Sequence, residues 1–294
     1  MPTDTASRSV LTTPDGRQLE YLVTGPPDGP VLLFQVGTPN PAMNFTRVTG
    51  PATALGLRTI SYSRPGYGDS TELRGRTVAD AVTDIRTLLD TLGVDRFRTL
   101  GWSGGGPHAL ATGALLPDRC QAVAVLAGVA PHDAAGLDFL QGMDQGNVDE
   151  FSAAVAGFDE IDGFLQPLTT HFQTVTGASI VEALAGLLSE VDQAALTGQF
   201  AEQMAQAFRH AMKNGIAGWR DDDLAFVRPW GFNLNELTVP VAIWQGRQDR
   251  MVPFGHGQWL AAEVPGAQPH LFADQGHLSL IAQMDTVLAD LVRL

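Results

Sequence analysis

Short apolar runs alternate along most of this 294-residue chain with longer stretches that carry the spacing of amphipathic helices. The runs are too apolar for strands with one face in water, so we expect both faces to be buried. This alternation predicts an α/β fold in which helices cover both faces of a mostly parallel sheet. The eight predicted strands are Ser9–Thr12, Gln18–Thr24, Val31–Gln35, Thr59–Ser63, Arg98–Trp102, Ala122–Ala127, Val241–Gln245 and Gln268–Phe272.

The alternation is interrupted in the second half of the chain. From about His132 to Asp223 the sequence contains helix-like segments and no convincing strand, and strand–helix alternation then resumes. We therefore predict one core domain built from residues 1–131 and 229–294, with an all-helical cap or lid domain inserted at 132–228. The helices predicted in and after the lid include Val148–Phe158, Phe164–Thr174, Ile180–Glu190, Gln193–Lys213 and the final Leu278–Arg293.

Charge and composition exclude several classes of protein. The net charge is −14, and fifteen acidic residues stand against four basic ones between Asp133 and Arg228. Nucleic-acid binding is disfavoured because phosphates need a basic face, and no apolar run reaches the length of a membrane span, about 18 residues. Cys120 is the single cysteine, which excludes an intrachain disulfide. With no secretory leader visible, we expect a cytoplasmic protein.

The segment Gly101-Trp102-Ser103-Gly104-Gly105 follows a predicted strand and begins a predicted helix. Gly-x-Ser-x-Gly in this setting is typical of a nucleophile elbow, whose sharp turn exposes the serine hydroxyl. Glycines at 101 and 105 remove side chains that would clash across the turn. The Gly104 amide can donate to a developing oxyanion. The motif predicts Ser103 as a catalytic nucleophile; the alternative is a tight turn without chemistry.

A serine nucleophile needs a base within hydrogen-bond reach, and His277 is the best candidate. It lies between the last predicted strand and the last predicted helix. The acid should end an earlier strand, as Asp249 does after Val241–Gln245; it would orient the imidazole and stabilise the imidazolium. Asp133 is the alternative acid. The other histidines lie at or within predicted helices, a strand or the insertion, and suit the role less well: His108, His132, His171, His210, His256 and His270.

A second oxyanion donor should come from the loop that follows the strand Val31–Gln35. This loop turns through Gly37 and is stiffened by Pro39, so the backbone amide of Thr38 is the predicted donor. Such a site needs no metal or organic cofactor, and the sequence contains no Cys-x-x-Cys or His-x-x-x-His pair. We therefore predict no cofactor.

Together these segments resemble the α/β-hydrolase superfamily over nearly the whole chain. Ser63–Ser70 is similar to the Asp-Arg-Pro-Gly-Tyr-Gly-x-Ser segment of many members, and the lid lies where members carry a helical cap. The resemblance implies the α/β-hydrolase fold with a Ser-His-Asp triad. Two features depart from it: Val36 replaces the His that often precedes the oxyanion-loop glycine, and Ser61 and Ser63 stand where relatives often have Asp before the Arg.

The serine also restricts the reaction. Relatives that displace halide or open epoxides use a carboxylate nucleophile, because a serine would form an inert ether. Ser103 therefore predicts an acyl-enzyme, and we favour hydrolysis of a small carboxylic ester. Two alternatives stay open: the same triad used for C–C or amide hydrolysis, perhydrolysis or acyl transfer, and a ligand-binding protein without catalysis. The phenylalanines and acidic residues of the lid favour a small, neutral, partly apolar substrate.

Overall fold

The computed structural model describes residues 8–294 and contains one eight-stranded sheet. The strands are β1 Arg8–Thr12, β2 Gln18–Thr24, β3 Val31–Gln35, β4 Arg58–Tyr62, β5 Phe97–Trp102, β6 Cys120–Leu126, β7 Val241–Gly246 and β8 Gln268–Phe272. Their order across the sheet is β1-β2-β4-β3-β5-β6-β7-β8. Strand β2 runs antiparallel to β1 and β4, and all later pairs are parallel. The predicted mostly parallel sheet is confirmed.

Twelve α-helices accompany this sheet in the described part of the chain. They are α1 Thr46–Ala54, α2 Ala81–Thr91, α3 Gly105–Leu115, α4 Gln145–Ala156, α5 Phe158–Leu165, α6 Thr169–Thr174, α7 Ser179–Leu184, α8 Glu190–Ala195, α9 Gly198–Ala211, α10 Ala217–Phe226, α11 Phe254–Glu263 and α12 Met284–Arg293. Short 3₁₀ helices occur at Gln166–Leu168, Leu234–Glu236 and Ser279–Gln283.

The strand predictions agree with the structure to within two residues at each end. The central strands β3 and β7 are buried along their whole length, as their apolar sequences indicate. Because β3, β5, β6 and β7 are adjacent and parallel, the loops at their carboxyl ends meet at one edge of the sheet. Residues 36–40, the turn at 103 and the loop at 247–253 therefore share this edge.

Seven α-helices, α4 to α10, lie between β6 and β7 in the described chain, and no strand interrupts them. We call residues 127–240 the inserted segment. It packs directly on the core: the Phe200 ring of α9 lies edge-on to Phe45, 6.4 Å between centroids, and Phe45 contacts Trp102 at 6.1 Å. The exact lid boundaries of 132–228 stay a prediction.

Several helix predictions differ from the structure, and one helix was not predicted. The predicted helix Phe164–Thr174 begins inside α5 and continues through a 3₁₀ turn into α6, and the predicted helix Ile180–Glu190 ends early, at Leu184. The predicted helix Gln193–Lys213 is broken into α8 and α9, because Thr197 is extended and Gly198 has φ of +54°. The predicted last helix is a 3₁₀ turn followed by α12. Helix α10 was not expected, since its Asp-Asp-Asp run disfavours a helix interior. Tertiary ion pairs of its Asp222 and Arg220 with residues outside the helix stabilise it instead.

Within residues 8–294, no helix combines the length and the apolar character needed to cross a bilayer.

Close packing beneath the turn at 103 gives a first prediction. A Cβ at Gly105 would overlap the carbonyl oxygen of Gln35 in β3, and neither backbone can move freely. We expect Gly105→Ala to lower the free energy of unfolding by about 1–3 kcal/mol. Gly163→Ala is the control, because a Cβ there meets open space and should stabilise α5 by about 0.5–1 kcal/mol. Urea unfolding of both variants measures the difference, and equal stabilities would contradict it.

Candidate active site

Ser103 occupies the turn between β5 and α3. Its φ is +54°, and Ala127 is the one other non-glycine residue at positive φ in the described chain. Such a backbone costs of order 1–3 kcal/mol and persists where the surrounding structure enforces it. A Cβ at Gly101 would overlap the Gly105 carbonyl, so the two glycines leave the space that the turn needs. The turn has the geometry expected of a nucleophile elbow.

His277 and Asp249 are brought together from two different loops. Nδ1 of His277 lies 2.8 Å from Oδ2 of Asp249, and both side chains are buried. Asp249 also accepts hydrogen bonds from the backbone amides of Met251 and Val252, at 2.9 and 2.8 Å, which fixes its orientation. Burial lowers the pKa of His277, but the charge and hydrogen bond of Asp249 and the charge of Asp192 outweigh it, so the net pKa is raised.

The loop that carries His277 is held by Asp192, a residue of the inserted segment. The Asp192 carboxylate is buried and accepts hydrogen bonds from the backbone amides of His277, Leu278 and Ser279, at 2.8, 2.8 and 2.9 Å. It thereby caps the 3₁₀ helix Ser279–Gln283. Sequence reasoning missed Asp192, because an acid between the predicted lid helices Ile180–Glu190 and Gln193–Lys213 resembles a solvated residue.

Ser103 and His277 line the same small cavity, of about 20 Å³. The Trp102 ring packs 5.8 Å from the imidazole, between centroids, and helps to close this space. In the described structure the side chains of Ser103 and His277 form no direct hydrogen bond with each other. In unliganded sites such bonds are often long and shorten when substrate binds. The predicted alternative acid, Asp133, is exposed, and the carboxylate that pairs with His277 is that of Asp249.

The loop with the predicted second oxyanion donor lies over the elbow. A Cβ at Gly37 would come within 3.0 Å of the Ser103 Cβ, and a Cβ at Gly104 would overlap the Thr38 side chain. The backbone amides of Thr38 and Gly104 have no acceptor in the described part of the chain. Two amides without an acceptor thus lie beside Ser103, where the sequence predicts an oxyanion hole.

A buried charge cluster fixes this loop. Arg64 donates to the carbonyl oxygen of Val36 at 2.6 Å and to Asp222 at 2.6 Å; Thr38 Oγ1 also donates to Asp222 at 2.6 Å. Arg76 completes the cluster, 2.7 Å from Asp222. Burial raises the pKa of Asp222, but the charges of the two arginines outweigh it, so the net pKa lies well below the usual range.

Of the residues in this cluster, the sequence analysis had singled out the segment that contains Arg64. Arg64 lies in the segment Ser63–Ser70 that carries the family resemblance, although no role followed from it. Asp222 lies in an acidic run that is 158 positions from Arg64, and no sequence pattern links the two.

A larger cavity of about 400 Å³ extends from Ser103, Gly104 and Thr38 to the inserted helices. Its lining includes carboxyl groups but, among residues 8–294, neither Lys nor Arg. Six aromatic residues give it a largely apolar wall: Phe151, Phe164, Phe172, Phe208, Trp219 and Phe226.

One group of side chains elsewhere has the composition of a metal site. Ligand atoms of Glu20, Asp69 and His210 lie within 4.8 Å of one another. These atoms are already engaged, because Glu20 pairs with His210 Nε2 at 2.8 Å and accepts from Ser63 at 2.5 Å, while Asp69 pairs with Lys213. The group is therefore an ion-pair cluster.

Comparisons with known proteins identify the fold family. Residues 30–282 match the family model of the alpha/beta hydrolase fold. A 2-hydroxy-6-oxononadienedioate/2-hydroxy-6-oxononatrienedioate hydrolase from Cupriavidus pinatubonensis is 26% identical over 250 residues, covering 80% of this chain and 74% of the relative. A 2-hydroxy-6-oxo-6-phenylhexa-2,4-dienoate hydrolase from Burkholderia cepacia is 27% identical over 241 residues, with coverages of 80% and 75%.

Solved structures show the same fold at lower identity. An enol-lactonase from Burkholderia xenovorans superposes with a TM-score of 0.69 at 18% identity, covering 97% of this chain and 100% of its own. An esterase from Exiguobacterium antarcticum superposes with a TM-score of 0.68 at 19% identity, covering 98% and 100%.

The raised pKa of His277 gives a second prediction. We expect NMR titration of its imidazole to report a pKa above the ordinary value of 6.5. Asp249→Asn should lower this pKa, because removing the adjacent negative charge destabilises the imidazolium. Asp192→Asn, which removes a more distant charge, should lower it by less. An unchanged pKa in the Asp249 variant would contradict the assignment.

The charge cluster gives a third prediction. Asp222→Asn leaves two buried arginines without their carboxylate, so we expect a loss of about 3–5 kcal/mol in the free energy of unfolding. Asp90→Asn is a matched control, since Asp90 pairs with Arg119 at 2.6 Å but is 60% exposed; its loss should stay below about 1 kcal/mol. Chemical denaturation compares the two, and similar losses would refute the role of the cluster.

Proposed function

The chain is a member of the α/β-hydrolase fold family, and we propose that it hydrolyses a small carboxylic ester through a Ser103 acyl-enzyme. The observation that carries this proposal is the hydrogen bond of 2.8 Å between His277 and Asp249, with the imidazole in a cavity that it shares with Ser103. That the chain is a hydrolytic enzyme follows from its family and its relatives. The bond it cleaves and the roles below are the proposal.

In the proposed mechanism, the hydroxyl of Ser103 attacks the ester carbonyl while Nε2 of His277 takes its proton. Asp249 holds Nδ1–H, so that Nε2 is the free base, and stabilises the imidazolium. The amides of Thr38 and Gly104 donate to the oxyanion. The imidazolium then protonates the leaving alcohol, and a water molecule, activated by His277, releases the acid from the serine.

The inserted segment supplies most of the proposed substrate pocket. Its aromatic side chains form the apolar wall of the cavity that begins at Ser103, which supports the partly apolar substrate predicted from the sequence. We propose residues 132–228 as the lid that covers this pocket.

C–C bond hydrolysis is the second candidate, because two relatives are named for hydrolysing 2-hydroxy-6-oxo dienoates and dienedioates. Those names describe carboxylate anions. The cavity here offers no Lys or Arg within the described residues to pair with a carboxylate; its titratable lining consists of Glu150, Asp223 and His171. The lining therefore favours an ester over these substrates.

A fourth prediction tests the nucleophile. A fluorophosphonate should label Ser103 in folded protein, and Ser103→Ala should abolish labelling and lower kcat on p-nitrophenyl butyrate by roughly 10⁴- to 10⁶-fold. Ser152→Ala is the control, because Ser152 is exposed on α4 and its loss should leave both readouts unchanged. Peptide mass spectrometry identifies the labelled residue. An unlabelled Ser103 would favour a ligand-binding protein without catalysis.

A substrate panel separates the remaining alternatives. Esters of p-nitrophenol with increasing acyl length, an anilide and a 2-hydroxy-6-oxo dienoate are assayed side by side. The proposal expects ester turnover to exceed that of the anilide and the dienoate. Labelling of Ser103 with negligible ester turnover would assign the triad to other chemistry, such as C–C hydrolysis, perhydrolysis or acyl transfer.

A further inference from the structure

Arg64 contacts two successive carbonyl groups of the loop that carries the predicted oxyanion donor. Its Nη1 donates to the carbonyl oxygen of Val36 at 2.6 Å, and its Nη2 donates to that of Gly37 at 3.3 Å. Since β3 and β4 are parallel neighbours, a residue just after β4 lies beside the loop that follows β3. The guanidinium therefore holds the direction of two consecutive peptide groups.

The Gly37 carbonyl and the Thr38 amide belong to one peptide group. In a planar trans peptide the C=O and N–H bonds point in opposite directions, and the bond between these two residues is trans. Because the carbonyl faces Arg64, the Thr38 N–H faces away from it. Ser103 borders this part of the loop: a Cβ at Gly37 would lie 3.0 Å from the Ser103 Cβ, and Thr38 lines both cavities that contain Ser103.

The loop backbone alone does not fix this direction. Gly37 has no side chain, so rotation of the peptide plane between residues 37 and 38 meets little steric resistance. After such a rotation the Gly37 carbonyl would replace the N–H beside Ser103, and its partial negative charge would repel an oxyanion. The bond from Arg64, whose side chain is 1% exposed, opposes the rotation, because charge-assisted hydrogen bonds are about twice as strong as neutral ones.

The same hydrogen bond strengthens the Thr38 donor. A cation at the carbonyl oxygen draws electron density through the peptide group, so the N–H hydrogen becomes more positive; hydrogen bonds linked in this way reinforce one another by about 10–30%. Burial lowers the pKa of Arg64, but the charge of Asp222 outweighs it, so the net pKa is raised and the guanidinium stays charged.

We propose that Arg64 is a positioning residue for the oxyanion hole: it directs the Thr38 N–H towards the oxyanion and makes it a stronger donor. The proposal rests on the proposed function, because an oxyanion forms only if Ser103 attacks a carbonyl group. It goes beyond anchoring of the loop, to which the bond from Thr38 Oγ1 to Asp222 also contributes. Loss of Arg64 should weaken ligands that carry an oxyanion and spare neutral ones.

Two chain-matched ketones separate these effects. With 1,1,1-trifluoroheptan-2-one, Ser103 Oγ bonds to the carbonyl carbon, its proton passes to His277, and the carbonyl oxygen becomes the oxyanion of a hemiketal; heptan-2-one stays a ketone. Isothermal titration calorimetry measures both affinities. Arg64→Lys should weaken the trifluoroketone about 10²-fold, as expected for one oxyanion donor, and heptan-2-one less than about threefold. A trifluoroketone affinity within threefold of wild type would overturn the proposal.

Lysine at 64 is a suitable change, because it keeps a charge next to Asp222 but lacks the planar set of donors. Arg76→Lys is the matched control: Arg76 is also buried and donates to Asp222 at 2.7 Å, but its other bond is to the Gly218 carbonyl. It should lose stability as Arg64→Lys does, yet keep the ratio of the two affinities within about threefold. An equal fall of the ratio in both variants would refute the specific role of Arg64.

Ionisation of the hemiketal gives a readout that a loss of stability does not move. With ¹³C at the ketone carbon, NMR titration measures the pKa of the hemiketal hydroxyl group. Hydrogen bonds to the charged form of an acid lower its pKa, so weaker donation from Thr38 should raise this pKa in Arg64→Lys and leave it unchanged in Arg76→Lys. An unchanged pKa in Arg64→Lys would contradict the proposal.

A crystal structure of the wild-type adduct tests the geometry without any variant, so the proposal stays testable even if Arg64→Lys does not fold. The Thr38 nitrogen should lie within hydrogen-bond distance of the hemiketal oxygen while the Gly37 carbonyl still accepts from Arg64. A Gly37 carbonyl turned towards Ser103 would show the proposal to be wrong.

Failure of the proposed function has a different signature. Wild-type protein that forms no hemiketal at Ser103, measured by ¹⁹F NMR, would refute the acyl-enzyme and the role of Arg64 with it. A hemiketal whose affinity and pKa do not depend on Arg64 would leave the proposed function standing and refute the positioning role alone.

Discussion

The ion pair between Asp222 and Arg64 is the interaction on which the arrangement of this site depends. Both side chains are almost completely buried, and removing two charges from water is unfavourable unless their geometry and further hydrogen bonds compensate. Here Arg76, Tyr67 and Thr38 supply those hydrogen bonds to Asp222. Because Asp222 belongs to α10, one carboxylate joins the inserted segment, the sheet and the loop over Ser103.

A second carboxylate, that of Asp192, links the inserted segment to the core at the loop of His277. Asp192 in α8 accepts three backbone hydrogen bonds from the loop of His277. Gly276 allows this approach, since a Cβ there would overlap the Asp192 carboxylate. The inserted segment thus fixes the loop of Thr38 through one acid and the loop of His277 through another, while its aromatic residues line the large cavity. The same helices therefore contribute both to the wall of the cavity and to the support of the two loops.

The sequence predicts the sheet well and the supporting interactions poorly, and the reason is physical. Apolar runs such as Val31–Gln35 and Val241–Gln245 fix strands locally, and Gly-x-Ser-x-Gly fixes the turn at Ser103. Asp249 and His277 could be named because each follows a strand, where loops converge. Asp192 and Glu150, by contrast, resemble solvated acids on helix surfaces; their partners lie far along the chain, and only tertiary structure buries them.

The cap that Asp192 forms has a consequence for recombining parts of this fold. The inserted segment leaves the sheet after β6 and returns to it at the neighbouring β7, so by connectivity alone it resembles an exchangeable module. In this chain a transplanted cover without acids equivalent to 192 and 222 would leave the core loops unsupported, even if its own packing were sound. Grafts that aim to change specificity must carry these two anchor points along with the pocket lining.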